Sequence, residues 1–588
     1  MANLGRREVS PTRRRFEWAW AERVLGRAAR PLLWVVLALV SVVPTLSFLS
    51  LAISPRLFSQ GTSWFTFAPF RQAFSGMEMT GIRNSLTFAS LAGVIATLVA
   101  AGLALAVQRT DVWIARLIPG ALWTLLLVPT YIAAVGWEEV LSPSGVLARM
   151  GLVTPALSNA LLGPVGIVFV LAMSGVPFAY FALAPALYAM GRRYEDAARI
   201  HGAGVWRTVR TVAPIILPAI TSAVIIVFAE ALGDFGVAST IAANDNIPVA
   251  TTNIMAAIAT FPTNFPQAAA VSWFLVATIG TVLALQSRVV RGRHTAVLSG
   301  RSRFVGKSHP HGVRRVLLIS AIVAFFLLTI GIPALGSVFS TLLPPGSGLH
   351  LSHLTLSAYS ALLHQGLSGP LFVSLRMSVI NATVTVVLAT AVAKVITSRR
   401  PGVFGRLSDV VLIASVALPG LVVAAGFLFI FNLPVFSRLG INLYGTMTLL
   451  GMGYLAIALP SNSRVLVGPV AQLDGSLVEA GRLHGASGPA AFRRCVLPLL
   501  ARPLLWAWLL AFAATFSELP TSEMLAPIGV RTMATAVLTS FQNANLAAAT
   551  ALSVVQMLVV LAVIGVAQLA FRLLAPPGWR HLGGRDLR

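Results

Sequence analysis

Long apolar runs separated by short polar connections recur along the whole chain, most of them near the roughly 20 residues that a helix needs to cross hydrocarbon. The first extends from Pro31 to about Ser54, and others centre near residues 95, 126, 175, 220, 278, 328, 384, 419, 456, 509 and 562. The pattern predicts about twelve transmembrane helices. The first run exceeds the roughly 7–15 apolar residues of a secretory signal, so it reads as a span. If the spans alternate in direction, the basic connections all fall on the side of the N-terminus. These hold Arg109 and Arg116, Arg192 to Arg210, Arg288 to Arg315, Lys394 to Arg406, Arg482 to Arg494, and the tail with Arg580, Arg585 and Arg588. By the positive-inside rule that side is cytoplasmic, and both termini lie there. The opposite connections, such as Ser59–Met79, Asn244–Pro266 and Pro344–Leu367, are poor in Lys and Arg.

Composition agrees with this reading. Hydrophobic residues make up 57% and charged residues 10%, with mean hydropathy +0.83, which excludes an ordinary soluble domain. A net charge of +25 could suggest nucleic acid, but the Lys and Arg sit in the connections between spans and set topology instead. The single Cys495 provides neither a disulfide nor a thiolate cluster. The expected organisation is a basic cytoplasmic tail (1–30), a first repeat (31–290), a basic linker (291–315), a second repeat (316–575) and a C-terminal tail (576–588). Within the linker, Gly300 to Ser308 superficially resembles a phosphate loop. Five residues instead of four separate its glycines and no strand precedes it, so a solvated linker is the favoured reading.

One short signature occurs twice. Asp196-Ala197-Ala198-Arg199-Ile200-His201-Gly202-Ala203 in the first half corresponds to Glu479-Ala480-Gly481-Arg482-Leu483-His484-Gly485-Ala486 in the second. The copies lie 283 positions apart; beyond the glycine the offset becomes 284, so that Pro214 aligns with Pro498 and Asp234 with Glu518. Two in-register blocks joined by one indel point to duplication, with halves related by an axis along the membrane normal. The alanines are good helix formers, the acid suits the helix N-terminus and glycine allows close backbone approach, as a short docking helix requires.

This signature resembles the EAA motif of the membrane subunits of ATP-driven bacterial importers, and the likeness covers nearly all of the chain apart from the N-terminal tail. Further blocks resemble ferric-iron permeases: Glu230 to Gly236 with Ala250-Thr251-Thr252-Asn253-Ile254, and Glu518-Leu519-Pro520-Thr521 with Thr532-Met533-Ala534-Thr535. The resemblance implies an all-α polytopic protein of two six-helix parallel repeats in the type I importer (MetI-like) fold, situated in the bacterial inner membrane. It further implies two copies of a cytoplasmic ABC ATPase docked on Asp196, Ala197, Ala198 and Gly202 and on Glu479, Ala480, Gly481 and Gly485. An extracytoplasmic solute-binding protein would deliver cargo, and ATP and Mg would be bound by the ATPase, leaving this chain no enzyme and without a cofactor. Ferric iron is the first expected solute, with thiamine, polyamine or aminoethylphosphonate as alternatives. Gly481 and Asn253 depart from the motifs.

Acids at membrane depth are costly and usually face a cavity or a partner. Glu230, Asp234, Glu518 and also Glu523 qualify, at or just beyond the outer ends of the fifth spans. They either line a pore or gate, or cap helix ends. Glu138 and Glu139 are expected in an outer loop. His201 and His484 lack neighbours at metal-ligand spacing, and no metal site is expected. An ion-coupled secondary transporter would also show about twelve spans and a repeat, but the doubled signature argues against it. No constellation of an enzyme is present.

Overall fold

The computed structural model describes residues 31–143, 145–190, 193–291, 307–343, 354–364, 366–398, 402–416, 418–473 and 476–574. The tails 1–30 and 576–588, and residues 292–306 of the linker with most of the phosphate-loop look-alike, lie outside these. Among the described residues all regular structure is helical, apart from one isolated bridge between Thr110 and Ser308. The first half comprises α1 (Pro31–Ser50), α2 (Gly76–Arg109), α3 (Ile118–Leu126), α4 (Thr130–Leu141), α5 (Pro164–Met190), α6 (Arg193–Ile200), α7 (Val205–Gly233), α8 (Ala250–Ala259) and α9 (Phe265–Arg291). The second comprises α10 (Gly312–Leu342), α11 (Ser368–Ile396), α12 (Gly402–Val416), α13 (Gly420–Phe431), α14 (Met447–Ala471), α15 (Ser476–Leu483), α16 (Gly488–Phe516), α17 (Pro520–Leu525), α18 (Met533–Gln542) and α19 (Leu546–Leu574). The linker is shorter than expected at its end, because Gly312 to Arg315 already belong to α10.

Nine of the described helices (α1, α2, α5, α7, α9, α10, α11, α16 and α19) are long and apolar enough to span a membrane. The other three expected spans are helical but less regular. The segment around residue 126 is bent by 99° between Leu126 and Thr130, and counts as a tenth span if the two arms are taken together. The segment around 419 is interrupted between Val416 and Gly420. The segment around 456 is an unbroken 25-residue helix whose Ser461, Asn462, Ser463 and Arg464 dilute its apolar character. Both interruptions end in a proline, Pro129 before α4 and Pro419 before α13, and each proline acts as the N-cap residue of the following helix. Proline disfavours helical geometry in the preceding residue and has no N–H to give the preceding turn.

Each half packs three long helices into its own core: α2, α5 and α7 in the first, α11, α14 and α16 in the second. Small residues set the spacing, as expected where lipid supplies no hydrophobic drive between helices. Ala89, Ala92, Ala96 and Ala100 form a buried stripe on α2, and a Cβ added at Gly93 would lie 2.9 Å from the Val224 carbonyl of α7. In the second half, Asn381 of α11 donates to Thr515 Oγ1 of α16 at 2.7 Å.

The first span of each half crosses to the other half. Helix α1 packs on α13, where a Cβ at Gly426 would meet the backbone of Pro44 at 2.7 Å. Helix α10 packs on α4, where a Cβ at Gly136 would meet Pro333 Cβ at 2.9 Å. Both crossing helices carry a π turn just before that proline, at Ala38–Val42 and Leu327–Gly331. A widened turn accommodates a residue that cannot complete the helical hydrogen-bond ladder. The two halves are therefore clasped by reciprocal glycine–proline contacts. Gly426→Val should lower the thermal midpoint of the detergent-solubilised protein, with an overpacking cost of about 1–3 kcal/mol. Gly102→Ala, at a helical position with open space around it, should leave the midpoint level or raise it. An unchanged midpoint in Gly426→Val would contradict the clasp.

Candidate functional sites at the repeated signature and the central cavity

The two copies of the signature fold alike. Helices α6 and α15 carry acids in the first turn (Glu195 and Asp196; Glu479) and a base in the last (Arg199; Arg482), each placed to complement the helix dipole. Both end in a Schellman motif. Gly202 N–H donates to Arg199 O and Ala203 N–H to Ala198 O, both at 2.9 Å; Gly485 N–H donates to Arg482 O at 2.9 Å and Ala486 N–H to Gly481 O at 3.1 Å. Gly202 and Gly485 have φ of +75° and +83°, and open space surrounds a Cβ at either. Within this chain, backbone conformation and not crowding calls for glycine at these two positions. Crowding occurs instead at Gly481, where a Cβ would lie 2.9 Å from Ala491 Cβ and 3.2 Å from Cys495 Sγ.

The indel has a structural counterpart. Helix α7 runs unbroken from Val205 through Pro214 and Pro218, so Pro214 lies inside a helix instead of opening one. The second half carries its additional residue as a π turn at Phe492–Val496, just ahead of Pro498. That turn brings Cys495 against α15, and the departure of Gly481 from the motif's alanine makes room for it. The anchoring differs as well. In the first half Arg109, at the end of α2 and nearly buried, pairs with Glu195 Oε1 at 2.9 Å. In the second, Lys394 lies 5.7 Å from the ring centre of Phe492 on the π turn. Behind Arg109, the described end of the linker is stitched to α2: Ser308 N–H donates to Arg109 O at 2.9 Å, and His309 Nδ1 donates to Asp111 Oδ2 at 2.5 Å. This His309 hydrogen bond holds the Asp111 carboxyl below the ordinary carboxylate range.

Asp196, Ala197, Glu479 and Ala480 are exposed, whereas Ala198 and Gly481 face the protein. Sequence reasoning missed Glu195, and it missed Ile200 and Leu483, apolar residues 83% and 87% exposed at equivalent positions of the two helices. Their signal was present as the apolar residue between the signature's Arg and His. The two helices thus present the same exposed apolar side chain at matching places. Among the described residues no group of three metal-ligating side chains occurs, and His484 Nδ1 lies 2.9 Å from Ala480 O within its own helix.

The interruptions at Pro129 and Pro419 open on a cavity of about 420 Å³ between the halves. Its walls include Thr130, Tyr131, Phe178, Glu230 and Asp234 from the first half and Gly420, Ile457, Ser461, Ser517 and Glu518 from the second; no Arg, Lys or His is among its described lining residues. The structure thus gathers Glu230, Asp234 and Glu518 at one place between the halves, Glu230 in the last turn of α7 and Asp234 and Glu518 at or just beyond the ends of α7 and α16, while the half-buried Glu523 on α17 does not line the cavity. Asp234 and Glu518, aligned by the repeat, have matching partners. Asp234 accepts from Val237 N–H (2.7 Å) and the Thr130 hydroxyl (2.6 Å), and Glu518 accepts from Thr521 N–H (3.3 Å) and the Thr521 hydroxyl (2.9 Å). Both therefore line the cavity and cap the chain that restarts beyond it.

The iron-like blocks have structural roles around this cavity. Thr251 Oγ1 donates to the Asp234 carbonyl, and Thr252 and Thr535 accept from the N–H of the N-cap residues of α8 and α18. Ser85 and Ser374, on equivalent helices, accept from Ala250 N–H and Met533 N–H, each at 2.8 Å. Glu138 and Glu139 are not in a loop. They are buried on α4, Glu138 accepting from Asn244 Nδ2 at 2.6 Å and Glu139 from Ser340 of the crossing helix α10, because this end of α4 lies beneath that helix.

Two separate stretches, residues 93–293 and 385–576, match the family described as the binding-protein-dependent transport system inner membrane component. The chain belongs to that family. It is an ABC transporter permease that carries the family's domain twice, a multi-pass membrane protein of the type I importer fold. It is 26% identical over 416 residues to a probable ABC transporter permease, y4fN, of Sinorhizobium fredii, covering 68% of this chain and 71% of the relative. It is 24% identical over 553 residues to the ferric transport system permease FbpB of Actinobacillus pleuropneumoniae, covering 90% and 77%. The sulfate transport system permease CysT of Escherichia coli is 30% identical over 131 residues, covering 21% of this permease and 47% of CysT.

Gly481→Leu should displace α15 from the π turn and lower the thermal midpoint of the detergent-solubilised protein. Gly485→Ala, which costs only the left-handed strain of about 1–2 kcal/mol at a helix end, should reduce it less. The reverse order would show that Gly481 does not set the position of α15.

Proposed function

We propose that this permease forms the membrane pathway of a binding-protein-dependent importer whose cargo is ferric iron. Two copies of a cytoplasmic ATPase bind at α6 and α15, with Ile200 and Leu483 entering the interface and Asp196 and Glu479 at its edge. ATP and Mg reside in those subunits, so the permease hydrolyses nothing itself. The basic connections and both termini face the cytoplasm, and an extracytoplasmic binding protein hands cargo to the opposite side.

The observation that carries the cargo assignment is the cavity wall, which combines three carboxylates with no basic residue among its described lining. Carboxylates at low dielectric attract cations and repel free anions. The likeness to the ferric relative runs along 90% of the chain, whereas that to the sulfate relative covers 21%. An anionic cargo is the second reading, because α4 and α13 begin at the cavity and helix N-termini favour anions. Uptake of radiolabelled ferric iron and of sulfate should be measured in cells lacking the gene and in complemented cells. Loss and restoration of iron uptake with sulfate uptake unchanged is expected. Loss of sulfate uptake with iron uptake intact would replace the first reading by the second.

A further inference from the structure

The three cavity acids are not equivalent. Asp234 and Glu518 occupy corresponding places in the repeat, and both are used by the backbone: each accepts an N–H and a hydroxyl at the point where the chain resumes after α7 or α16. A carboxylate engaged in this way stabilises the interruption itself. Neutralising it loosens the cap whatever passes through the cavity.

Glu230 differs on every count. It lies one helical turn before Asp234 on α7, lines the cavity and is exposed to it, and accepts no hydrogen bond from any described residue. The 284-position offset that pairs Asp234 with Glu518 pairs Glu230 with Ala514, which carries no charge and is not among the described lining residues of the cavity. The repeat therefore preserves the two capping acids and breaks symmetry at the uncommitted one. An ionised carboxylate kept inside the bundle without a partner is costly unless water or a cation meets it there. Together these features separate a structural pair of acids from one carboxylate that remains available.

Resting on the importer reading above, we propose that Glu230 is the cargo-contacting carboxylate of this pathway, and that it selects a cationic solute from one wall of the cavity while Asp234 and Glu518 maintain the wall. The charge is what matters, so its place on the cavity wall is exchangeable: a carboxylate at Ser461, exposed on the facing half of the same wall, should serve.

The test uses the full-length permease in cells lacking the chromosomal gene, with membrane abundance checked by immunoblot and ATPase attachment by co-purification. Glu230→Gln should lower initial rates of ferric-iron uptake roughly tenfold or more, the scale of one lost charge-assisted contact. Abundance and ATPase attachment should stay at wild-type level. Glu230→Ala should behave alike, and adding Ser461→Glu to it should restore most of the uptake. Wild-type uptake in Glu230→Gln overturns the proposal. So does failure of Ser461→Glu to restore uptake in a double variant of normal abundance, which would assign position 230 a local structural role. If the wild type carries a solute other than iron, the iron reading fails by itself and the variants are scored on that solute. The same loss and rescue with another cation upholds the role of Glu230, and unimpaired transport of an anionic or neutral solute by Glu230→Gln overturns it.

Discussion

In hydrocarbon a backbone N–H or C=O that loses its helical partner must find another, and each one left unpaired costs several kcal/mol. This constraint organises the permease around Pro129 and Pro419. The helices interrupted there cannot stand in lipid, so the interruptions are enclosed between the halves, and the space between them is the central cavity. Chain leaving α7 and α16 is interrupted at the same place, and its restarting turns are capped by Asp234 and Glu518. Ser85 and Ser374 do the same for α8 and α18. The polar groups near the cavity are thus first of all the means by which irregular backbone is tolerated inside a membrane protein.

The second constraint is that two similar halves must hold together yet remain separable units. The crossing first spans meet it with reciprocal contacts, Gly426 on Pro44 and Gly136 on Pro333, and with Glu139 receiving the Ser340 hydroxyl across the interface. The duplication is close but not perfect, and its imperfections are correlated. One additional residue in the second half becomes a π turn, the π turn crowds α15, and the motif's alanine gives way to Gly481. The first half, lacking that residue, anchors α6 through Arg109 and Glu195 instead.

Much of this was legible in the chain. The run length of apolar residues gave helices and the 283- and 284-position offsets gave the repeat, because both depend on periodic local pattern. Gly202 and Gly485 were visible as part of the repeat, but the close backbone approach read for them gives way to the left-handed turn that ends α6 and α15. Less was visible where contacts are distant in sequence. Run length places spans at residues 126 and 419 but does not show that they are interrupted, although Pro129 and Pro419 were there to be read. Glu138 and Glu139 look like loop residues until α10, some 200 positions away, is laid over them. The difference between Asp234 and Glu230 is hidden altogether, since it depends on the Thr130 hydroxyl reaching one carboxylate and not the other.

The account rests on an aqueous, negatively charged cavity lying between the halves. Its most direct measurement is thiol reactivity: with Cys495 replaced by alanine, Ser461→Cys places a thiol in the cavity wall. A cationic methanethiosulfonate should modify it several-fold faster than an anionic one of similar size, while a cysteine at the exposed apolar position Val387 on α11 should show no such preference. Equal rates at position 461, a faster anionic reagent, or no reaction with either would contradict the account.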